Sequence, residues 1–198
     1  MEIEIPFISK PRPDTGVTNA KLGIWLFLLS EVMLFGGLFS AYILLRVGAD
    51  VWPQGIKVLN IPIATANTVV LIVSSVTVVM GWAALVEKNF KSYRIYMIVT
   101  LLCGLIFMVN KTIEYMSKFE HHISPATDNF FGIYFTITGL HGLHVLGGMA
   151  ALAWLCWPGS KMWETDPERF TGRVECAGLF WHLVDLVWII VFPVLYLI

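Results

Sequence analysis

Five runs of apolar residues separated by short polar stretches set the pattern of this chain, at 22–45, 63–86, 95–115, 130–157 and 177–198. Each reaches the roughly 20 apolar residues that a helix needs to cross a hydrocarbon core. The pattern predicts an all-α membrane protein, one bundle of five transmembrane helices over 22–198, with a cytoplasmic tail at 1–21. Ionisable residues nevertheless stand near the middles of these runs: Glu31, His141, His144, His182 and Asp185. A bilayer tolerates such groups when they face protein, pair with one another or carry a function.

Orientation follows from where lysine and arginine fall. Lys10, Arg12, Lys21, Lys88, Lys91, Arg94, Lys161, Arg169 and Arg173 share the side of the N-terminus, against Arg46, Lys57, Lys111 and Lys118 on the other. Nine against four predicts an N-terminus in the cytoplasm, or in the matrix of an organelle, and a C-terminus outside. The first 21 residues contain Glu2, Glu4 and three prolines and have no basic segment leading into a short apolar one. That argues against a cleaved signal peptide.

Composition agrees with the membrane reading. The chain is 57% hydrophobic and 14% charged, whereas soluble domains carry about 25% charged residues. Its mean hydropathy is +0.74. With a net charge of -1 and no basic stripe, nucleic acid is not an expected partner. Cys103, Cys156 and Cys176 are isolated and form no CxxC pair, so they read as small buried hydrophobes.

Contacts between membrane helices favour small residues. Gly36 with Ser40, Gly37 with Ala41, and Gly139, Gly142, Gly147 and Gly148 are candidates for such faces. Trp52, Trp157 and Trp163 stand where chain leaves lipid, as an aromatic belt requires. Trp181 and Trp188, seven apart, share a helix face that reads as a lipid or partner surface. Asn67, Thr68, Ser74 and Ser75 read as hydrogen-bonders between helices. Asn110, Lys111 and Glu114 read as an interface anchor whose long side chains reach water.

At 1.5 Å per residue, Glu31 lies roughly 14 Å and Asp185 roughly 12 Å from the cytoplasmic helix ends. Similar depth makes a shared network with a histidine available if the first and last helices are neighbours. His141 and His144 are three apart, hence on one face, and His182 and Asp185 repeat the spacing. An ionised Glu31 at that depth would be costly, so it is expected protonated, hydrogen-bonded or beside a cation. Two readings of it stand level: a neutral carboxyl joining helices, or a proton-handling group. The histidines could in principle hold haem or a metal, but HExxH and Cys/His clusters are lacking. No residue is assigned a catalytic or metal-ligating role.

Several segments in order, LFLLSEVMLFGGLFSAY (26–42), ANTVVLIVSS (66–75), GLIFMVNKTIEY (104–115), TGLHGLHVLGG (138–148) and FWHLVDLVWIIVFPVLY (180–196), closely resemble subunit III of the haem-copper terminal oxidases. The resemblance covers all five runs and matches the five-helix form, which lacks the first helix pair of the seven-helix form. It implies an accessory subunit with no redox centre that packs on catalytic subunit I, beside subunit II, and holds phospholipids. Haem and copper would reside in those partners. It further implies support of proton uptake, protection from inactivation during turnover, and residence in a bacterial cytoplasmic membrane.

By the same resemblance Glu31 is the family's buried carboxylate, and His141, His144, His182 and Asp185 its interior network. Asn67, Trp181 and Trp188 are interface or lipid-related positions. Glu114 belongs to a QxxxEY-like segment in which Asn110 replaces glutamine, and Arg173 with Glu175 is the charged pair before the last helix. The missing pair forms one wall of a lipid-filled cleft in seven-helix members, so a partner such as an extended subunit I is expected to supply it. The catalytic subunit needs more histidines than the five present here. Glu31, where quinol-oxidase relatives often have aspartate, favours cytochrome c as electron donor over quinol. Two other classes compete, a stand-alone proton-coupled transporter, for which no inverted repeat is present, and a small membrane haem protein.

Overall fold

The computed structural model describes residues 16–198; of the expected tail, residues 1–15 lie outside the described residues. Five long helices are apolar enough to cross a membrane, and no strand occurs among the described residues. The elements are α1 (Asn19–Val47), α2 (Gly55–Val58), α3 (Ile61–Val86), α4 (Phe90–Glu120), α5 (Asn129–Cys156), α6 (Met162–Thr165) and α7 (Pro167–Val191). A single 3₁₀ turn, Gly159–Lys161, precedes α6, and a π-helical segment, Phe192–Leu197, continues α7.

Each long helix starts at a side-chain cap. Thr18, Asn60, Asn89, Asp128 and Asp166 accept from the backbone N–H three residues on, at 3.3, 3.3, 3.1, 2.8 and 3.0 Å. Each bond satisfies one of the orphan donors of a first turn. Proline in the first turn of α3 and α7 suits the same position, because its missing N–H has no partner to lose there. Several helices outrun the apolar runs, α4 by five residues at each end and α7 by ten at its start. It begins at Pro167 and not at 177, because Arg169, Arg173 and Glu175 interrupt hydropathy without interrupting helix.

The centre of the bundle is α7, which packs against α1, α3 and α5, while α3 and α4 form the most extensive pair and α4 also meets α5. The least buried of the five is α1, which places only Leu28, Phe35 and Tyr42 fully inside. Its glycines do not mark a contact among the described residues, although Ala41 packs against the core: a Cβ on Gly36 or Gly37 would meet nothing within 4 Å, and the same is true of Gly142 and Gly147. Gly148 is used, since a Cβ there would come within 2.8 Å of the Trp181 ring.

At the far end of α7, Pro193 cannot donate to the helical ladder, and the helix widens into its π-helical segment. A carbonyl there, Val194 O, accepts from the Tyr42 hydroxyl at 3.0 Å. Tyr196 and Leu195 turn inward and are fully buried.

Candidate functional site

Polar side chains of the bundle fall into three interior groups and one cleft at the end where α1 begins. The first group joins α1 to α5. Glu31 Oε2 lies 2.8 Å from His144 Nε2, and His144 Nδ1 lies 2.8 Å from the carbonyl of Leu140, one turn back. A carbonyl only accepts, so Nδ1 carries a hydrogen and donates to it. One further proton then sits between Nε2 and Oε2, on the acid or on the ring. Either way the pair is neutral overall, which is what permits it inside a membrane. Both side chains are about one-seventh exposed, at 13% and 15%, so the pair is not sealed. The Phe35 ring packs edge-on against the imidazole.

A second group lies between α3, α5 and α7. Ser75 Oγ is 2.6 Å from His182 Nδ1, and the buried Asp185 carboxyl lies near the same hydroxyl. Asp185 Oδ1 and His141 Nδ1 have no hydrogen-bond partner among the described residues. His141 Nε2 donates to the carbonyl of Val184 at 3.0 Å, under the rings of Phe107 and Trp188. Although α1 and α7 are neighbours, Glu31 and Asp185 do not share a network. Glu31 takes His144 on α5 and Asp185 faces Ser75 on α3. No three His, Cys, Asp or Glu side chains converge as a metal site requires, among the described residues.

Of the third group, the sequence offered Lys111 and Glu114, with Asn110, as an interface anchor reaching water, and the structure reverses that reading. Lys111, Glu114 and Lys118 are 6%, 4% and 7% exposed. Lys111 Nζ donates to Glu114 Oε2 at 3.0 Å, to Tyr196 Oη at 2.8 Å and to Tyr134 Oη at 3.2 Å. Tyr134 donates to Glu114 Oε1 at 2.8 Å, and Tyr196 Oη is 3.1 and 3.2 Å from the two carboxylate oxygens. The rings of Tyr115, Tyr134, Trp188 and Tyr196 lie 5.1 to 5.6 Å from the ammonium. Lysine does not reach for water here because aromatic faces and hydroxyls replace its hydration. The spacing i, i+3, i+7 of Lys111, Glu114 and Lys118 puts them on one helix face, the signal that could have found them. Tyr134 and Tyr196 carried no such signal.

Four bonds between helices tie these groups to the frame. Asn110 Nδ2 donates to Asn67 Oδ1 at 2.8 Å, Trp188 Nε1 to Thr68 at 3.0 Å, Trp181 Nε1 to Ser74 at 3.0 Å, and Ser75 meets His182 as above. Asn67, Trp181 and Trp188 are therefore interior. The two indoles do share a face, but it is the face turned to α3, where buried N–H groups find hydroxyls. The expectation of a lipid or partner surface at these positions is corrected.

Arg173 and Glu175 lie within α7, not before it, two residues apart and so on different faces. Glu175 pairs with Lys21 of α1 at 2.8 Å. Both line a cleft of about 850 Å³ between the starts of α1 and α7 and the end of α3, together with Lys21, Trp82, Trp163 and Arg169.

A family model described as cytochrome c oxidase subunit III matches residues 14–198. Cytochrome c oxidase subunit 3 of Thermostichus vulcanus is 33% identical over 176 residues, 89% of this chain and 86% of the relative. A probable cytochrome c oxidase subunit 3 of Mycobacterium tuberculosis strain H37Rv is 35% identical over 182 residues, covering 89% and 87%. The cytochrome bo(3) ubiquinol oxidase subunit 3 of Buchnera aphidicola from Schizaphis graminum is 29% identical over 184 residues, covering 93% and 96%.

Proposed function

The chain belongs to the cytochrome c oxidase subunit III family, and from that premise we propose that it is the accessory subunit of a proton-pumping, oxygen-reducing complex. It binds no haem or copper itself; those reside in subunits I and II, against which it packs in a bacterial cytoplasmic membrane, N-terminus inside. Its work is to support proton uptake by subunit I, to hold structural phospholipid and to keep the complex stable during turnover.

One observation carries the reading: the Glu31–His144 pair, which holds a single transferable proton at mid-depth and is left incompletely covered by its own bundle. A purely structural tie would be expected to sit as deeply sealed as Lys111–Glu114. The cleft lined by Lys21, Arg169 and Arg173 supports the lipid role, since basic side chains beside tryptophans at a helix end suit a phosphate headgroup. Cytochrome c is the proposed donor. Relatives named for both donors match the chain, so the copper content of the purified complex is the deciding measurement.

Replacing Glu31 or Asp185 by alanine in the intact complex tests the role. Haem spectra are expected to stay unchanged while lipid content or activity lifetime during turnover falls. A haem spectrum altered as the first defect would contradict it.

A further inference from the structure

At the opposite end of the bundle from that cleft, a second pocket of about 320 Å³ opens between the end of α4 and the start of α3, lined by Asn60, Glu114, Ser117, Lys118 and His121 with Val58, Ile63, Ile113 and Ile123. We propose that this pocket binds a phosphate group, carried by a phospholipid headgroup or free in solution. The proposal does not rest on membership of an oxidase.

Charge is the first reason. Two ammonium groups, Lys111 and Lys118, are buried beside a single carboxylate, Glu114. That carboxylate lines the pocket, yet its capacity is already taken by Lys111, Tyr134 and Tyr196. Lys118 is left with one hydrogen bond, a long 3.4 Å contact to the carbonyl of Val58, and with the faces of Tyr134 and Phe131 at 5.3 and 5.7 Å. An ammonium has three donors. Two of them have no hydrogen-bond partner among the described residues, at 7% exposure, and because Lys118 shares the Glu114 carboxylate with Lys111 the cluster holds an unbalanced buried positive charge, which is strongly unfavourable.

Complementary donors line the same pocket. Asn60 Oδ1 accepts from the N–H of Ile63, so its amide nitrogen remains a donor at the N-terminus of α3, where the helix dipole favours an anion. The Ser117 hydroxyl makes no hydrogen bond within the chain among the described residues. The competing acceptors at the end of α4 are capped: Ser117 O takes His121 N and Nδ1, and Lys118 O takes His121 N and Ile123 N. The four aliphatic walls suit the ester and acyl side of a lipid better than open water.

The full chain, purified in mild detergent, is incubated with nanodiscs of phosphatidylcholine containing phosphatidylglycerol, and bound lipid is counted by native mass spectrometry; inorganic phosphate is titrated in parallel by ³¹P NMR. Wild-type retention that falls about tenfold in Lys118→Met, as loss of a charge-assisted bond predicts, and persists in Lys118→Arg supports the site. Competition by inorganic phosphate identifies free phosphate as the source; lipid binding without competition identifies the headgroup. Equal retention in a folded Lys118→Met, or binding of neither probe by wild type, overturns it. Should Lys118→Met not fold, Ser117→Ala decides: reduced retention supports the site and unchanged retention overturns it.

Discussion

Replacing Glu114 by leucine removes the acceptor from an interior cluster and leaves its donors behind. In the folded chain the carboxylate receives Lys111 at 3.0 Å, Tyr134 at 2.8 Å and Tyr196 at 3.1 and 3.2 Å. A hydrogen bond to a charged group contributes about 1.5 to 3 kcal/mol, so three donors sum to several kcal/mol. Desolvating both ions costs several kcal/mol each, so the pair as a whole contributes little. Removing one partner is another matter. Glu114→Leu leaves the Lys111 ammonium buried and unmatched, and the expected loss is about 3 to 5 kcal/mol. Lys111→Met on its own should cost less, because both tyrosines can still donate to the carboxylate. The double replacement removes both members of the pair but leaves the buried Lys118 ammonium without its carboxylate, so it should cost less than the sum of the two single losses without returning to the parent. Equilibrium unfolding in mixed micelles, followed by tryptophan fluorescence, gives the four free energies of the cycle. Coupling of about 2 to 3 kcal/mol is expected for residues in direct contact. A loss under about 1 kcal/mol in Glu114→Leu, or coupling near zero, would mean that Lys111 reaches water after all, and the buried-cluster reasoning would fail.

Three more outcomes follow from the packing. Glu31→Ala should cost about 2 kcal/mol, the worth of a charge-assisted bond, and loosen α1 first, seen as faster amide exchange there than in α3 to α7. Gly148→Val drives a side chain into the Trp181 ring, which a Cβ alone would approach to 2.8 Å; a loss of about 1 to 3 kcal/mol with a shifted tryptophan emission is expected. Trp188→Phe keeps most of the ring contact but forfeits the bond to Thr68 at 3.0 Å, so thermal unfolding should report a loss of about 1 kcal/mol.

Much of the architecture was written in hydropathy, because a spanning helix in lipid must be apolar along most of its length. The start of α7 was not: Arg169, Arg173 and Glu175 hid ten helical residues, although the cap at Asp166 followed by Pro167 was a visible start signal. Depth arithmetic placed Glu31 near mid-membrane, but depth says nothing of direction. Glu31 faces α5 and Asp185 faces α3, so their similar depth did not join them. Trp181 and Trp188 show the same gap, since a spacing of seven fixes a common face and leaves open whether that face meets lipid or α3. Lys111 was misread because the groups that keep it dry, Tyr134 and Tyr196, come from two other helices, 23 and 85 residues away.

Affinity capture of this chain from native membranes, with an optical spectrum of both the complex and the isolated chain, is the most direct check on its place in an oxidase. Capture should bring down a larger haem-bearing polypeptide, and the isolated chain should show no Soret band. A Soret band stoichiometric with the isolated chain, or capture without any haem-bearing partner, would contradict it.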